Sequence, residues 1–261
     1  MLSLTLNRPS LFPNSPSLSN TPGSVPAGTP LPPGYHLVYF TPAFLENELG
    51  ADGTDVSYNP ESPFTRRMWA GGEVHWPRDA DGKPNPLRVG QEIQETTKVL
   101  SAEPKVVRKT GEEMIVVGVE KEFRNEFGVA VLDRRNSTIV VDILCNTVAV
   151  TLFRFSALTF NPHKIHYSTP WAREVEGHKD IVVHGPLNLI SILDLWRDTQ
   201  QLDHNDPGLV LPEKISYRAT SPLYVDDEYC IVLEEGDGVG RVQILTPDGT
   251  LAMNAEINSA K

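Results

Sequence analysis

The 261-residue chain carries 23 Lys and Arg against 34 Asp and Glu, a net charge of −11. That balance argues against nucleic acid or an anionic membrane as the main partner, since both need a basic footprint. Apolar residues make up 39% and charged residues 22%, core material for one large or two small domains. Cys145 and Cys230 each sit in an apolar strand-like run and read as two reduced core thiols. No apolar run approaches the ~20 residues of a membrane span.

Residues 1–33 contain eight prolines, six serines, the single basic residue Arg8 and no acid. Such a segment buries too little apolar surface to offset chain entropy and is expected to be a disordered tail. Its lack of acids is similar to an organellar leader, but one Arg is too few for that assignment. Tyr35–Leu49 reads as a short helix and Gly50–Pro63 as a turn-rich loop. Met68–Trp76 reads as a strand, and the Asp79–Pro86 turn leads into an alternating stretch, Leu87–Leu100. Met114–Phe123, Val129–Leu132 and Ser137–Leu144 are three further β-rich runs.

A second half starts near Asn146. After a polar loop it holds a helix, Pro186–Trp196, and then strands at Lys214–Ala219, Glu228–Glu234, Arg241–Thr246 and Thr250–Ile257. The last two are joined by Pro247-Asp248-Gly249, a hairpin signal, and place Val242, Ile244, Leu251, Met253, Ala255 and Ile257 on one face. On the helix, Leu189, Ile192, Leu193 and Trp196 fall at i, i+3, i+4 and i+7, while Leu187, Ile190 and Leu195 fill the other side. A helix apolar all round must be wrapped, here by a curved antiparallel sheet.

The chemistry-bearing stretch is Asn161, His163 and His166 in one short loop, followed by His184-Gly185-Pro186 opening that helix. Imidazoles can move protons near neutral pH, and free N–H groups at a helix start can hold a carbonyl oxygen. An Asn-Pro turn with surface histidines is the plain alternative. The apolar flanks Leu158, Phe160 and Ile165 and the helix start at Gly185 favour a site. A metal reading of His163 and His166 lacks a third ligand nearby, so neither a metal nor another cofactor is expected. Gly236-x-Gly238-x-Gly240 lies between antiparallel strands with no helix after it and reads as a turn. Arg66-Arg67 and the Lys164/Arg173 charges read as solvated surface first and as phosphate contacts second.

The stretches FSALTFNPHKIHYSTPWAREVEG and VVHGPL resemble the hot-dog hydratase/dehydratase proteins of the MaoC-like group. So do LPPGYHLVYFTP, LGADGTD, SPFTRRMWAGGEVHWPRD, PLRVGQEI, YRATSPLYVDDEY and PDGTLAMNAEI, in the same order along the chain. The resemblance is narrowest to the branch of mesaconyl-C4-CoA hydratase and the fungal mitochondrial 3-hydroxyacyl-thioester dehydratase. It implies an α+β double hot-dog of two antiparallel sheets, each wrapping a helix. A non-catalytic repeat would span 34–145 and a catalytic repeat 146–261. It also implies a helix ahead of the LVYF segment, where the Pro/Ser-rich tail stands instead, so the first repeat is expected to be incomplete.

By the same resemblance, His166 takes the position of the family's histidine and Asn161 that of an aspartate five residues earlier. An amide accepts no proton at neutral pH, so the base role falls to His166 with His163 in reserve. Gly185 matches the position whose N–H holds the thioester carbonyl. His184, Pro186, Arg66, Arg67, Trp69 and Phe160 are the implied substrate-binding residues. The implied activity is reversible hydration of a 2-enoyl thioester on coenzyme A or acyl carrier protein, with a fatty-acyl or C5-dicarboxylic acyl group. A homodimer is one implied assembly, and mitochondrion and cytoplasm are the two locations in view. A non-catalytic acyl-thioester-binding or partner subunit is the other reading, favoured by Asn161.

Overall fold

The computed structural model of the chain describes residues 1–12, 15–18, 25–59, 67–106, 113–137, 148–200 and 210–259. Eight strands form one antiparallel sheet: β1 (Trp69–His75), β2 (Gln94–Val106), β3 (Glu113–Asn125), β4 (Gly128–Ser137), β5 (Lys214–Ala219), β6 (Cys230–Gly236), β7 (Val239–Leu245) and β8 (Leu251–Asn258). Their order is β2-β3-β4-β1-β5-β8-β7-β6. Each half therefore repeats one topology, first-fourth-third-second, and the halves meet back to back where β1 pairs with β5. The two sheets expected side by side are one sheet. Its fold is the α+β double hot-dog, with a central helix in the second repeat.

That helix, α4 (Gly185–Thr199), runs one residue earlier and three later than its apolar core suggests. Leu187, Leu189, Ile190, Ile192, Leu193 and Trp196 are all buried, as a helix apolar all round must be. Its cover includes β7 and β8, where Val242 opposes Ala255 and Ile244 opposes Met253. Asp194 and Arg197 are buried in its last turns and pair at 2.8 Å. The glycine-rich stretch is a turn: Asp237 and Gly238 have φ of 54° and 77° between β6 and β7, as tight hairpin turns require.

Four elements depart from the sequence reading. The stretch 35–49 yields only α2 (His36–Tyr39) and a 3₁₀ turn at Glu46–Glu48. Pro42 explains the early stop, since the residue before a proline is driven from helical geometry. Leu87–Ile93 is not strand, and β4 runs unbroken from Gly128 to Ser137. The remainder of the Ser137–Leu144 run, with Cys145, lies outside the described residues. A helix, α3 (Ala149–Leu158), went unread because its Val, Thr and Phe content is β-like, although Leu152, Phe155 and Ser156 are buried at helical spacing. Cys230 is exposed, not a core thiol: it opens the edge strand β6.

The expected tail is the largest correction. Residues 2–5 form a short helix, α1 (Leu2–Thr5), and Leu2, Leu11 and Phe12 belong to the main core. Ser3 Oγ lies 3.1 Å from Tyr35 Oη, and Arg8 Nη2 donates to Asp198 Oδ1 of α4 at 2.7 Å. The segment builds no core of its own. It covers apolar surface that the rest of the chain supplies, and composition alone does not report that.

Candidate active site

A cleft of about 1160 Å³ runs between the halves. It is lined by His163, His166, Asn161, Phe160, Gly185, Pro186, Arg67 and Trp69 among others. Arg66 lies outside the described residues. The structure thus brings the loop and the helix start together, with side chains from both halves.

Local backbone makes the loop. After α3, Phe160 takes a left-handed φ of 49°, and Asn161 N–H donates back to Ser156 O at 2.9 Å. Asn161 Oδ1 then accepts the His163 N–H at 3.1 Å, a local turn that an asparagine side chain suits. A 3₁₀ turn, Lys164–His166, carries the second imidazole inward. Val182 N–H donates to Ile165 O at 2.8 Å and clamps the turn to the segment before α4.

His166 is buried and its Nδ1–H donates to Val182 O at 2.7 Å. That bond sets the tautomer: Nε2 is left with its lone pair. The ring stacks on His184 with centroids 3.6 Å apart and planes 17° from parallel. Burial first, then the neighbouring His163, pushes the His166 pKa down to about 3. Burial, with Arg67 next, holds His163 down to about 3 as well. His184 is also held well below the usual imidazole range by burial and by the other two rings. Three buried imidazoles, stacked or edge-on, stay neutral, because a charge on any one is desolvated and faces its neighbours.

His184 corrects the sequence reading. It does not line the cleft: it is fully buried behind His166, with Nε2 2.8 Å from Ser156 Oγ. It backs the His166 ring from behind. Phe160, by contrast, lines the cleft while 59% exposed.

Gly185 opens α4 from the N-cap His184, and its own N–H makes no hydrogen bond among the described residues. The first N–H groups of a helix lack intrahelical partners and lie at its positive end, which suits a developing oxyanion. The residue must be glycine. A Cβ here would sit 2.2 Å from Trp69 Cε3, so an edge of the β1 indole abuts the helix start. Trp69 is therefore a wall of the site, held by the first half.

Sequence reasoning missed one contributor, the loop around Asp52-Gly53. Lys164 N–H donates to Asp52 O at 2.8 Å, Lys164 Nζ donates to Ala51 O at 2.6 Å, and Asp52 Oδ2 lies 3.6 Å from His163 Nε2. Gly53, at φ 87°, passes so close to Pro162 that a Cβ would meet its carbonyl oxygen at 2.2 Å. The only signal was the LGADGTD stretch itself, which reads locally as a turn.

The chain is similar to proteins of known family. The family model described as hydroxyacyl-thioester dehydratase type 2 matches residues 34–143 and 140–225. Mesaconyl-C(4)-CoA hydratase of Chloroflexus aurantiacus is 30% identical over 256 residues, covering 90% of this chain and 86% of that protein. The mitochondrial hydroxyacyl-thioester dehydratase type 2 of Schizosaccharomyces pombe is 26% identical over 249 residues, 79% of each chain. Among solved structures, a MaoC-like dehydratase from Phytophthora capsici superposes with a TM-score of 0.55 at 16% identity, over 79% of this chain and 74% of that one.

Proposed function

Because the chain belongs to the hydroxyacyl-thioester dehydratase type 2 family, we infer that it is a hydro-lyase that adds water reversibly to 2-enoyl thioesters. The observation that carries this reading is the presence in one cleft of a neutral His166 with Nε2 free and an unpartnered Gly185 N–H at the head of α4. In hydration, His166 Nε2 takes a proton from water as the water oxygen bonds to Cβ of the enoyl group. The alkene electrons move through Cα to the thioester oxygen, which the Gly185 N–H and the positive helix end hold as an enolate. The imidazolium then returns its proton to Cα, and dehydration is the reverse. Asn161, with Oδ1 engaged by the loop, orients the water or the β-hydroxyl through its remaining amide group.

The carrier is coenzyme A or acyl carrier protein, and Arg67 and Lys164, both lining the cleft, are the cations we assign to its phosphate. The fungal relative's name supports a mitochondrial setting; imaging the whole chain with a C-terminal fluorescent fusion tests this, and a diffuse cytoplasmic signal overturns it. A second reading, a thioester-binding protein without turnover, is favoured by the amide at Asn161. Mixing purified protein with crotonyl-CoA or mesaconyl-CoA separates the two. Loss of enoyl-thioester absorbance supports the enzyme. Saturable binding with constant absorbance supports the binder.

A further inference from the structure

Asp52 is 6% exposed, belongs to the first half, and points its carboxylate at the loop of the second. Its Oδ1 accepts the Thr54 N–H and hydroxyl, both at 2.9 Å, a turn that shapes its own loop. Oδ2 is the oxygen nearer His163 Nε2, at 3.6 Å, with the Thr54 hydroxyl at 3.1 Å on its other side. Docking of the two loops does not need this oxygen. The backbone bond from Lys164, the Lys164 ammonium on Ala51 and the Gly53–Pro162 contact already hold them together. A buried carboxylate oxygen beside a ring nitrogen has a use beyond turn-making.

We propose that Asp52 is the positioning carboxylate of the site: it accepts the Nε2–H of His163 and leaves Nδ1 of that ring, which stands edge-on to His166 with centroids 5.4 Å apart, as a lone pair. The 3.6 Å separation is slightly long for a hydrogen bond, and such bonds in empty sites often shorten when substrate closes them. Burial keeps His163 neutral, so its ring holds one proton and the carboxylate decides which nitrogen carries it. The loop itself offers only the amide of Asn161. The carboxylate comes from the other repeat, which makes the non-catalytic half a contributor to the chemistry. Asp52 touches no substrate and acts through His163.

This rests on the hydro-lyase reading, and Asp52→Asn tests it. Asparagine keeps the shape and the Thr54 bond but presents an amide N–H where Oδ2 was, which favours the Nδ1–H tautomer of His163. Partners behind a reactive imidazole are typically worth about 10–100-fold. Asp52→Asn is expected to keep the wild-type melting temperature and KM and to lower kcat by about that factor. Asp52→Asn in a His163→Gln background is expected to cost nothing further. Wild-type kcat in Asp52→Asn, or fully additive losses in the double variant, overturns the proposal. Imidazole ¹⁵N shifts give an answer independent of turnover: His163 is expected as the Nε2–H tautomer in the wild type and Nδ1–H in Asp52→Asn, and Nδ1–H in both overturns it. If no enoyl thioester turns over while the tautomers switch as expected, the hydro-lyase reading fails and the Asp52–His163 pairing stands.

Discussion

In the second half, α4 lays fifteen residues against the sheet, whereas the corresponding place before β1 in the first half holds only the four residues of α2. At 1.5 Å per residue these span about 22 Å and about 6 Å. The same strand topology is thus filled in one half and left open in the other. Ile115, Val117, Val119 and Phe123 of β3, with Leu37 and Phe40, line the cleft where a longer helix would have packed. The helix that fills the second half also brings its N-terminus to His166. The candidate imidazoles lie in the half with the helix, and the apolar lining of the cleft comes largely from the half without one.

Four expected outcomes break or sharpen that contrast. The largest concerns the helix half. His166→Ala should lower kcat by about 10²–10⁴-fold with little change in KM, about 3–5 kcal/mol of barrier. Steady-state kinetics on an enoyl thioester checks it, and near-wild-type turnover places the chemistry elsewhere. Next is the segment that seals α4 from outside. Deleting residues 2–12 removes Leu2, Leu11, Phe12 and the Arg8–Asp198 pair and should cost about 3 kcal/mol after the ordering entropy is offset. An unchanged melting temperature would return the segment to the disordered tail that its composition suggested.

The third outcome is a pH dependence of stability. His166 has a folded pKa of about 3 against about 6.5 in an unfolded chain. Below pH 6.5 the unfolded chain therefore binds the extra proton, and stability present above 6.5 is lost as pH falls toward 3. Between pH 7 and pH 5 this one ring contributes about 2 kcal/mol of loss. Melting curves across that range check it, and His166→Phe should flatten the slope. The smallest effect lies in the open half. Val119→Trp intrudes on the cleft without touching the imidazoles and should raise KM several-fold for bulky acyl groups, about 1 kcal/mol, with kcat intact. A fall in kcat with constant KM would mean that the first half is not where the acyl group lies.

Legibility in the sequence followed how local each cause is. The apolar circumference of α4 and the Pro247-Asp248-Gly249 hairpin were readable because period and turn chemistry are properties of adjacent residues. His166 and Gly185 were singled out through resemblance as candidates, and their hydrogen-bond states came only from structure. The N-terminal segment was misread because its apolar partners, Tyr35 and α4, are distant in the chain. Asp52 was invisible for a similar reason. Asp-Gly explains itself as a turn, and nothing nearby announces a histidine from the other repeat. Cys230 looked like core because an edge strand alternates as an inner one does.

The near-contact of Gly53 with the Pro162 carbonyl also bears on how such a gene can change. Two copies of one repeat normally gain the freedom to diverge, recombine or be inherited apart. Here a single missing methyl group ties them, because a side chain at 53 would push the loop of one copy off the loop of the other. A chain cut into separately encoded repeats would have to re-form that contact, and the β1–β5 seam, at every encounter of the pieces. Fusion keeps both the contact and the seam within one chain, where they form without any encounter of separate pieces.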